Sequence, residues 1–121
     1  MPFSNRAEIQ AVILREPGKL YTELADGRLA NFYSMKVLNK TFAEIPVEIR
    51  LEEPAGGEIV YLGEAAAVQP QAILEGRFFV ALPKYLLLPG RTDVHFSVYA
   101  GGQLVGEEVS SFLAPHDIGE K

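Results

Sequence analysis

Hydrophobic and polar residues alternate along this chain with the period of a strand rather than that of a helix. Ile45, Val47, Ile49 and Leu51 interleave with Pro46, Glu48, Arg50 and Glu52, and a strict period of two sends one set of side chains to each face of a half-buried strand. Val94, Phe96 and Val98 interleave in the same way with Asp93, His95, Ser97 and Tyr99, before Gly101-Gly102 and a resumption at Leu104-Val105. Adjacent glycines supply the positive φ angles of a tight hairpin, so these last two strands are predicted to pair antiparallel. The longest candidate strand is Leu29 to Thr41, with Leu29, Asn31, Tyr33, Met35 and Val37 on one parity and Ser34, Lys36 and Lys40 on the other. Phe32 and Leu38 interrupt that pattern, which predicts either a bulge or a second packed face.

Ile9 to Leu14, Ile59 to Leu62 and Phe78 to Leu82 complete about seven short strands, punctuated by Pro17-Gly18, Asp26-Gly27, Pro54 to Gly57, Gly63, Gly76 and Pro89-Gly90. No amphipathic helix longer than a turn or two is visible; Pro83 to Leu88 is predicted to form such a turn. The pattern predicts an all-β fold, an immunoglobulin-like antiparallel β-sandwich of about seven strands, with a barrel as the structural alternative. Residues 1–8 read as a lead-in, 9–115 as the domain and 116–121 as a tail.

Composition narrows the chemistry more than the fold. A chain of 121 residues, 48% hydrophobic and 22% charged, supports one domain whose core needs no metal or disulfide to hold it. The absence of cysteine removes thiolate nucleophiles, thiolate zinc sites and iron–sulfur ligation together. Net charge is −5 with the basic residues scattered singly, the opposite of the concentrated positive patch that nucleic acid requires. The longest apolar run, Phe78 to Leu82, is far short of the roughly 20 residues of a membrane-spanning helix. Met1 to Gln10 has neither the basic nor the apolar region of a signal peptide, so the chain is expected to be either cytosolic or a piece of something longer.

A local signature takes the reading further. Leu20-Tyr21, Asp26-Gly27-Arg28-Leu29, Asn31, Tyr33, Lys36 and Asn39-Lys40-Thr41, in this order and spacing, resemble the C-terminal immunoglobulin-like domain of the FixG/CcoG family of cytochrome c oxidase accessory proteins. Pro17-Gly18 ahead of Leu20-Tyr21 resembles one version of that motif, and Leu82-Pro83, the Val94 to Val98 strand and Phe112 to Pro115 match more loosely. The resemblance implies a parent protein anchored in the inner membrane by several helices and carrying ferredoxin-type iron–sulfur clusters. This domain would then follow the last helix on the periplasmic face. It implies a link to copper handling and oxidase assembly, a protein partner, and no cofactor in this chain, because the cysteines belong to the absent part. The function expected is that of a non-catalytic docking or positioning module; the alternative is a free-standing adhesive or carbohydrate-binding sandwich, which the lack of Trp disfavours.

Other side chains carry candidate chemistry with a plainer reading beside it. Asn39-Lys40-Thr41 is formally a glycan acceptor, but at the end of a strand Asn39 and Thr41 are expected to hydrogen-bond the turning backbone. Asn31 shares the inward parity of Tyr33 and is expected to be a buried, bonded amide. The potential copper ligands His95, His116, Met1 and Met35 have no spacing that would gather them, so no metal residue is assigned. Ser97, Ser110 or Ser111 with His95 and Asp93 could be imagined as a triad, yet nothing resembles a nucleophile elbow and no catalytic residue is assigned. Tyr85 to Leu88 reads as a contact loop or as a plug for the end of the sandwich. The doublets Glu52-Glu53 and Glu107-Glu108 read as possible cation ligands or, more simply, as a solvated face.

Overall fold

The computed structural model describes residues 8–18, 21–63 and 67–118. Nine strands run in chain order: β1 (Ile9–Arg15), β2 (Thr22–Glu23), β3 (Leu29–Asn39), β4 (Ile45–Glu53), β5 (Glu58–Leu62), β6 (Ala67–Val68), β7 (Ala72–Leu82), β8 (Arg91–Ala100) and β9 (Gln103–Leu113). Among the described residues the helical content is a single 3-10 turn, Lys84–Leu86. One sheet has the order β1-β3-β7-β5, with β2 taking over from β1 beside β3; the other has the order β6-β4-β8-β9. Every pairing is antiparallel. The fold is the expected all-β, immunoglobulin-like sandwich.

The two strands beyond the expected seven are β2 and β6, two residues each, too short to leave a periodicity. β7 is longer than the Phe78 to Leu82 run. It starts at Ala72, and Gly76, which reads as a turn signal, lies mid-strand opposite Met35. The Gly101-Gly102 hairpin forms as expected, with φ of +61° and +83°, both in the left-handed region where a Cβ is disfavoured.

The core is built from the inward parities. Tyr33 and Phe78 stack at 5.5 Å between centroids, and Phe96 of the facing sheet meets both edge-on at 5.3 and 5.6 Å, the offset geometry that aromatic quadrupoles favour. Leu29, Met35, Val80, Leu82, Val94, Val98 and Phe112 fill the space around them. A smaller cluster of Ile9, Val37, Val68 and Ala100 closes the end nearest Asn39.

No bulge explains Phe32 and Leu38, since β3 runs in continuous register with both neighbours. They lie on the outer face, half-buried, where Phe32 meets Phe79 at 5.5 Å and Leu38 pairs across the strand with Ile73. The second packed face is therefore the correct alternative. Of the Tyr85 to Leu88 segment, Leu86 and Leu87 pack against the core, whereas Tyr85 and Leu88 are exposed. Ile118, read as part of the tail, is buried against the same core.

Candidate functional site

The motif residues divide by the work their side chains do. Asp26 shapes the β2–β3 turn: Oδ1 accepts the Arg28 backbone N–H at 3.1 Å and Oδ2 accepts from Arg28 Nε at 2.8 Å, while Gly27 turns the chain at φ +92°. The backbone N–H of Arg28, followed by its guanidinium, holds the Asp26 carboxyl below the usual carboxylate range. Arg28 also donates to Glu58 at 3.0 Å, joining that turn to β5.

Asn31 and Tyr33 reach across the sandwich. Asn31 donates from Nδ2 to the Leu113 carbonyl at 3.0 Å and accepts the Leu113 N–H at 2.7 Å, and the Tyr33 hydroxyl donates to the Ser111 carbonyl at 2.8 Å. These backbone groups lie on the margin of β9, which pairs with β8 on its other side. Burial raises the Tyr33 phenol above its ordinary range, so it stays a donor at ordinary pH. On the opposite margin, the Tyr61 hydroxyl accepts the Ile49 N–H at 3.1 Å and donates to the Ile49 carbonyl at 3.2 Å.

Asn39 is fully buried and locks the turn after β3. Its Nδ2 donates to the carbonyls of Ala43, Gln69 and Val68, and its Oδ1 accepts from the backbone and hydroxyl of Thr41. Gln71, at φ +57°, adds bonds to the Lys40 and Thr41 carbonyls, seating the β6–β7 turn on the same knot. A glycan has no access to this amide. Lys36, Lys40 and Tyr21 are exposed, and Leu20 lies outside the described residues.

The potential copper ligands are dispersed. Met35 is in the core, His95 is on the outer face of β8, His116 lies against Gly90 at the end of the sandwich, and Met1 is outside the described residues. Among the described residues no three His, Asp or Glu side chains converge on a point that could hold a metal ion. Nor does any serine hydroxyl bond to His95 among them; Asp93 pairs with Arg91, and Ser110 and Ser111 sit across from Val94 and Asp93.

Pairing does bring the two acidic doublets together. A groove of about 400 Å³ crosses the outer face of the β4–β8–β9 sheet, lined by Glu52, Glu53, His95, Phe96, Ser97, Glu107, Glu108 and Val109. A bulge beside Leu51 sets Glu53 opposite His95, with His95 Nε2 4.0 Å from Glu53 Oε1. The doublets read as separate pairs along the chain, although the Gly101-Gly102 hairpin, counted backwards, already brings Glu107 and Glu108 alongside Phe96 and His95. A second bulge, which leaves Val105 unpaired, shifts that register by one.

The comparison with known families bears on the whole domain. The family model described as "IG-like fold at C-terminal of FixG, putative oxidoreductase" matches residues 2–115. The chain belongs to this FixG C-terminal family. A crystal structure of a FixG-related protein from Vibrio parahaemolyticus superposes with a TM-score of 0.60 over 88% of this chain and 95% of that one, at 18% identity, and so shares the fold. The yeast GGA1 GAE domain (TM-score 0.42, 11% identity, 89% and 92% coverage) and WR4, a C. elegans MSP family member (0.43, 9%, 88% and 97%), are more distant. No curated protein sequence matches the chain. Of the residues singled out in the sequence, Asp26, Gly27, Asn31, Tyr33, Asn39 and Thr41 serve as turn locks and inter-sheet clamps, with Lys36 and Lys40 left on the surface.

Proposed function

We propose that this domain is a non-catalytic docking or positioning module of a membrane-anchored iron–sulfur parent protein, held at the periplasmic face of the inner membrane and serving cytochrome c oxidase assembly and copper handling through a protein partner. The observation that carries the reading is where the motif is spent. The buried Asn31, Tyr33 and Asn39 direct their polar atoms to backbone groups of other strands and turns, which rigidifies a scaffold and keeps its outer faces in fixed relation. Family membership supplies the context of a parent described as an oxidoreductase; the redox groups belong to the parent, since this chain has no cysteine.

The test is deletion of residues 9–115 from the full-length parent. Oxidase assembly should fall while the iron–sulfur absorbance of the remaining membrane part persists. Normal assembly without the domain would overturn the reading. An alkaline phosphatase fused after residue 121 should be active, because that enzyme matures only outside the cytoplasm; an inactive fusion would refute the periplasmic placement.

A further inference from the structure

The two outer faces of the sandwich differ in chemistry. On the four-stranded sheet the outward positions of β4 and β8 are mostly polar or charged, Glu48, Arg50, Glu52, Asp93 and His95 among them. On the other sheet they are mostly apolar. Leu14 on β1 and Ile73 on β7 are 61% and 58% exposed, Val12 and Leu62 are exposed as well, and the half-buried Leu38 lies beside Ile73. A groove of about 290 Å³ on this face is lined by Gln10, Ala11, Val12, Lys36, Leu38 and Ile73. Contiguous apolar surface of this kind, set among polar groups, marks an interaction site.

The strand register says what fits it. Across β3 and β7 the outward residues match pair by pair: Phe32 with Phe79, Ser34 with Arg77, Lys36 with Glu75 and Leu38 with Ile73. The row through Ser34 and Arg77 ends in a leucine on both sides, Leu14 on β1 and Leu62 on β5. A two-fold axis running along the strands between β3 and β7 exchanges these strands and keeps each row at its own height. A second copy laid face to face about that axis therefore places its β3 over β7. Leu38 then meets Ile73, Lys36 meets Glu75 and Leu14 meets Leu62, each contact being made twice. Ile73 of the second copy enters the groove beside Leu38 and Val12. Arg77 brings no uncompensated charge, since Glu16 accepts two bonds from it. An axis between β1 and β3 would instead set Lys36 on Val12. A purely basic or purely acidic segment finds no such match, because the centre of the face carries one free-standing charge of each sign, Lys36 and Glu75.

We propose that the outer face of the β1-β3-β7-β5 sheet is an isologous interface between two copies of this chain. Its strands have seven, eleven, eleven and five residues. At about 4.8 by 3.4 Å per residue they offer roughly 550 Å² on each copy, at most about 1,100 Å² for the pair, the lower end of specific interfaces. Stacked twisted sheets cross at about 30°, so contact is closest around the rows of Ser34 and Lys36. The dimer is accordingly a weak and reversible one. It is independent of the docking role proposed above and leaves the polar face of the other sheet open.

Sedimentation equilibrium of the 121-residue chain tests the pairing. Between about 1 µM and 1 mM it should show a monomer–dimer equilibrium with a Kd on the order of 10 to 100 µM. Lys36→Glu sets a glutamate against Glu75 of the second copy at two symmetric places, and Glu75→Lys sets a lysine against Lys36; each should weaken the dimer about tenfold or more. An equimolar mixture of these two variants should associate within about threefold of the parent, because every like-charge contact between copies becomes an opposite one. The mixture leaves the like-charged pair within each chain as it was, so the rescue reports contact between chains. Leu14→Asp and Ile73→Asp should each leave only monomer, with urea midpoints showing that the chain is folded, and His95→Ala on the other sheet should change nothing. A chain that is monomeric at about 1 mM, a dimer that survives Ile73→Asp, or a mixture no better associated than its components would each overturn the proposal.

Discussion

Replacing Asn39 by alanine removes one side chain from a knot that ties three segments of backbone. Its Nδ2 donates to the carbonyls of Ala43 at 2.8 Å, Gln69 at 3.0 Å and Val68 at 3.3 Å, and its Oδ1 accepts from Thr41 N–H at 2.9 Å and Thr41 Oγ1 at 2.6 Å. The truncation does not leave all of these groups stranded. Ala43 and Gln69 are exposed, so water can replace the amide at their carbonyls, whereas Val68 is buried and the Thr41 N–H loses a partner at a partly buried site. Two groups deprived of partners at roughly 1 to 2 kcal/mol each make a loss of about 2 to 4 kcal/mol, a large share of the roughly 5 to 15 kcal/mol that holds a domain together. With a urea m-value of about 2 kcal/mol/M, the unfolding midpoint should fall by about 1 to 2 M, followed by circular dichroism. Asn39→Asp separates hydrogen bonding from volume: it keeps the acceptor for Thr41 but turns a carboxylate oxygen towards carbonyls, and at neutral pH it should cost at least as much as alanine. A midpoint for Asn39→Ala within about 0.3 M of the parent, or an aspartate variant as stable as the parent, would refute the assignment of this residue as a turn lock.

Asn31→Ala should lose roughly 1 to 3 kcal/mol by stranding Leu113 N–H and C=O, and Tyr33→Phe, which gives up a single bond to Ser111, about 1 kcal/mol; denaturant titration orders the two, and the reverse order would contradict the clamp. At Gly57 an added Cβ would stand 2.5 Å from Cδ2 of both Leu51 and Leu82, so Gly57→Ala should destabilise by about 1 to 3 kcal/mol, measured by the same midpoints; a neutral result would mean that both leucines can repack. Asp26 has a folded pKa below its ordinary 3.8, so its contribution is present above that value and is lost as pH falls through the lower folded one. Asp26→Asn should therefore be less stable than the parent at neutral pH, with the gap closing in acid; a gap independent of pH would show that the turn does not depend on the charge.

Periodicity revealed strands wherever one face is apolar and the other polar, as at Ile45 to Glu52 and Asp93 to Tyr99. It failed where both faces are apolar or a strand is very short. The first half of β7 was hidden because Ile73 and Leu74 sit on opposite faces and Gly76 imitates a turn; β2 and β6 are too brief to repeat anything. The inward direction of Asn31 was legible from parity alone, but its bond to Leu113, 82 residues away, was not, because that contact depends on how the sheets face each other. The acidic groove shows the same divide. Each doublet is visible in the chain, whereas their meeting on one surface depends on strand order and on two bulges that no local pattern announces.

The side chains that cross between the sheets also have a mechanical consequence. Apolar faces held by dispersion alone can shear, because methyl contacts re-form after a small displacement, whereas a directional hydrogen bond weakens steeply once its angle is lost. A plate pinned at one point can still pivot. Here the four-stranded plate is pinned along one margin by Asn31 and Tyr33 at β9, and on the other by Tyr61 at β4, so translation and rotation are both opposed. With Asn39 also reaching the Val68 carbonyl of β6, the angle between the plates is held by directional bonds as well as by the packed core, and a load applied to either outer face is passed to the other through these pins.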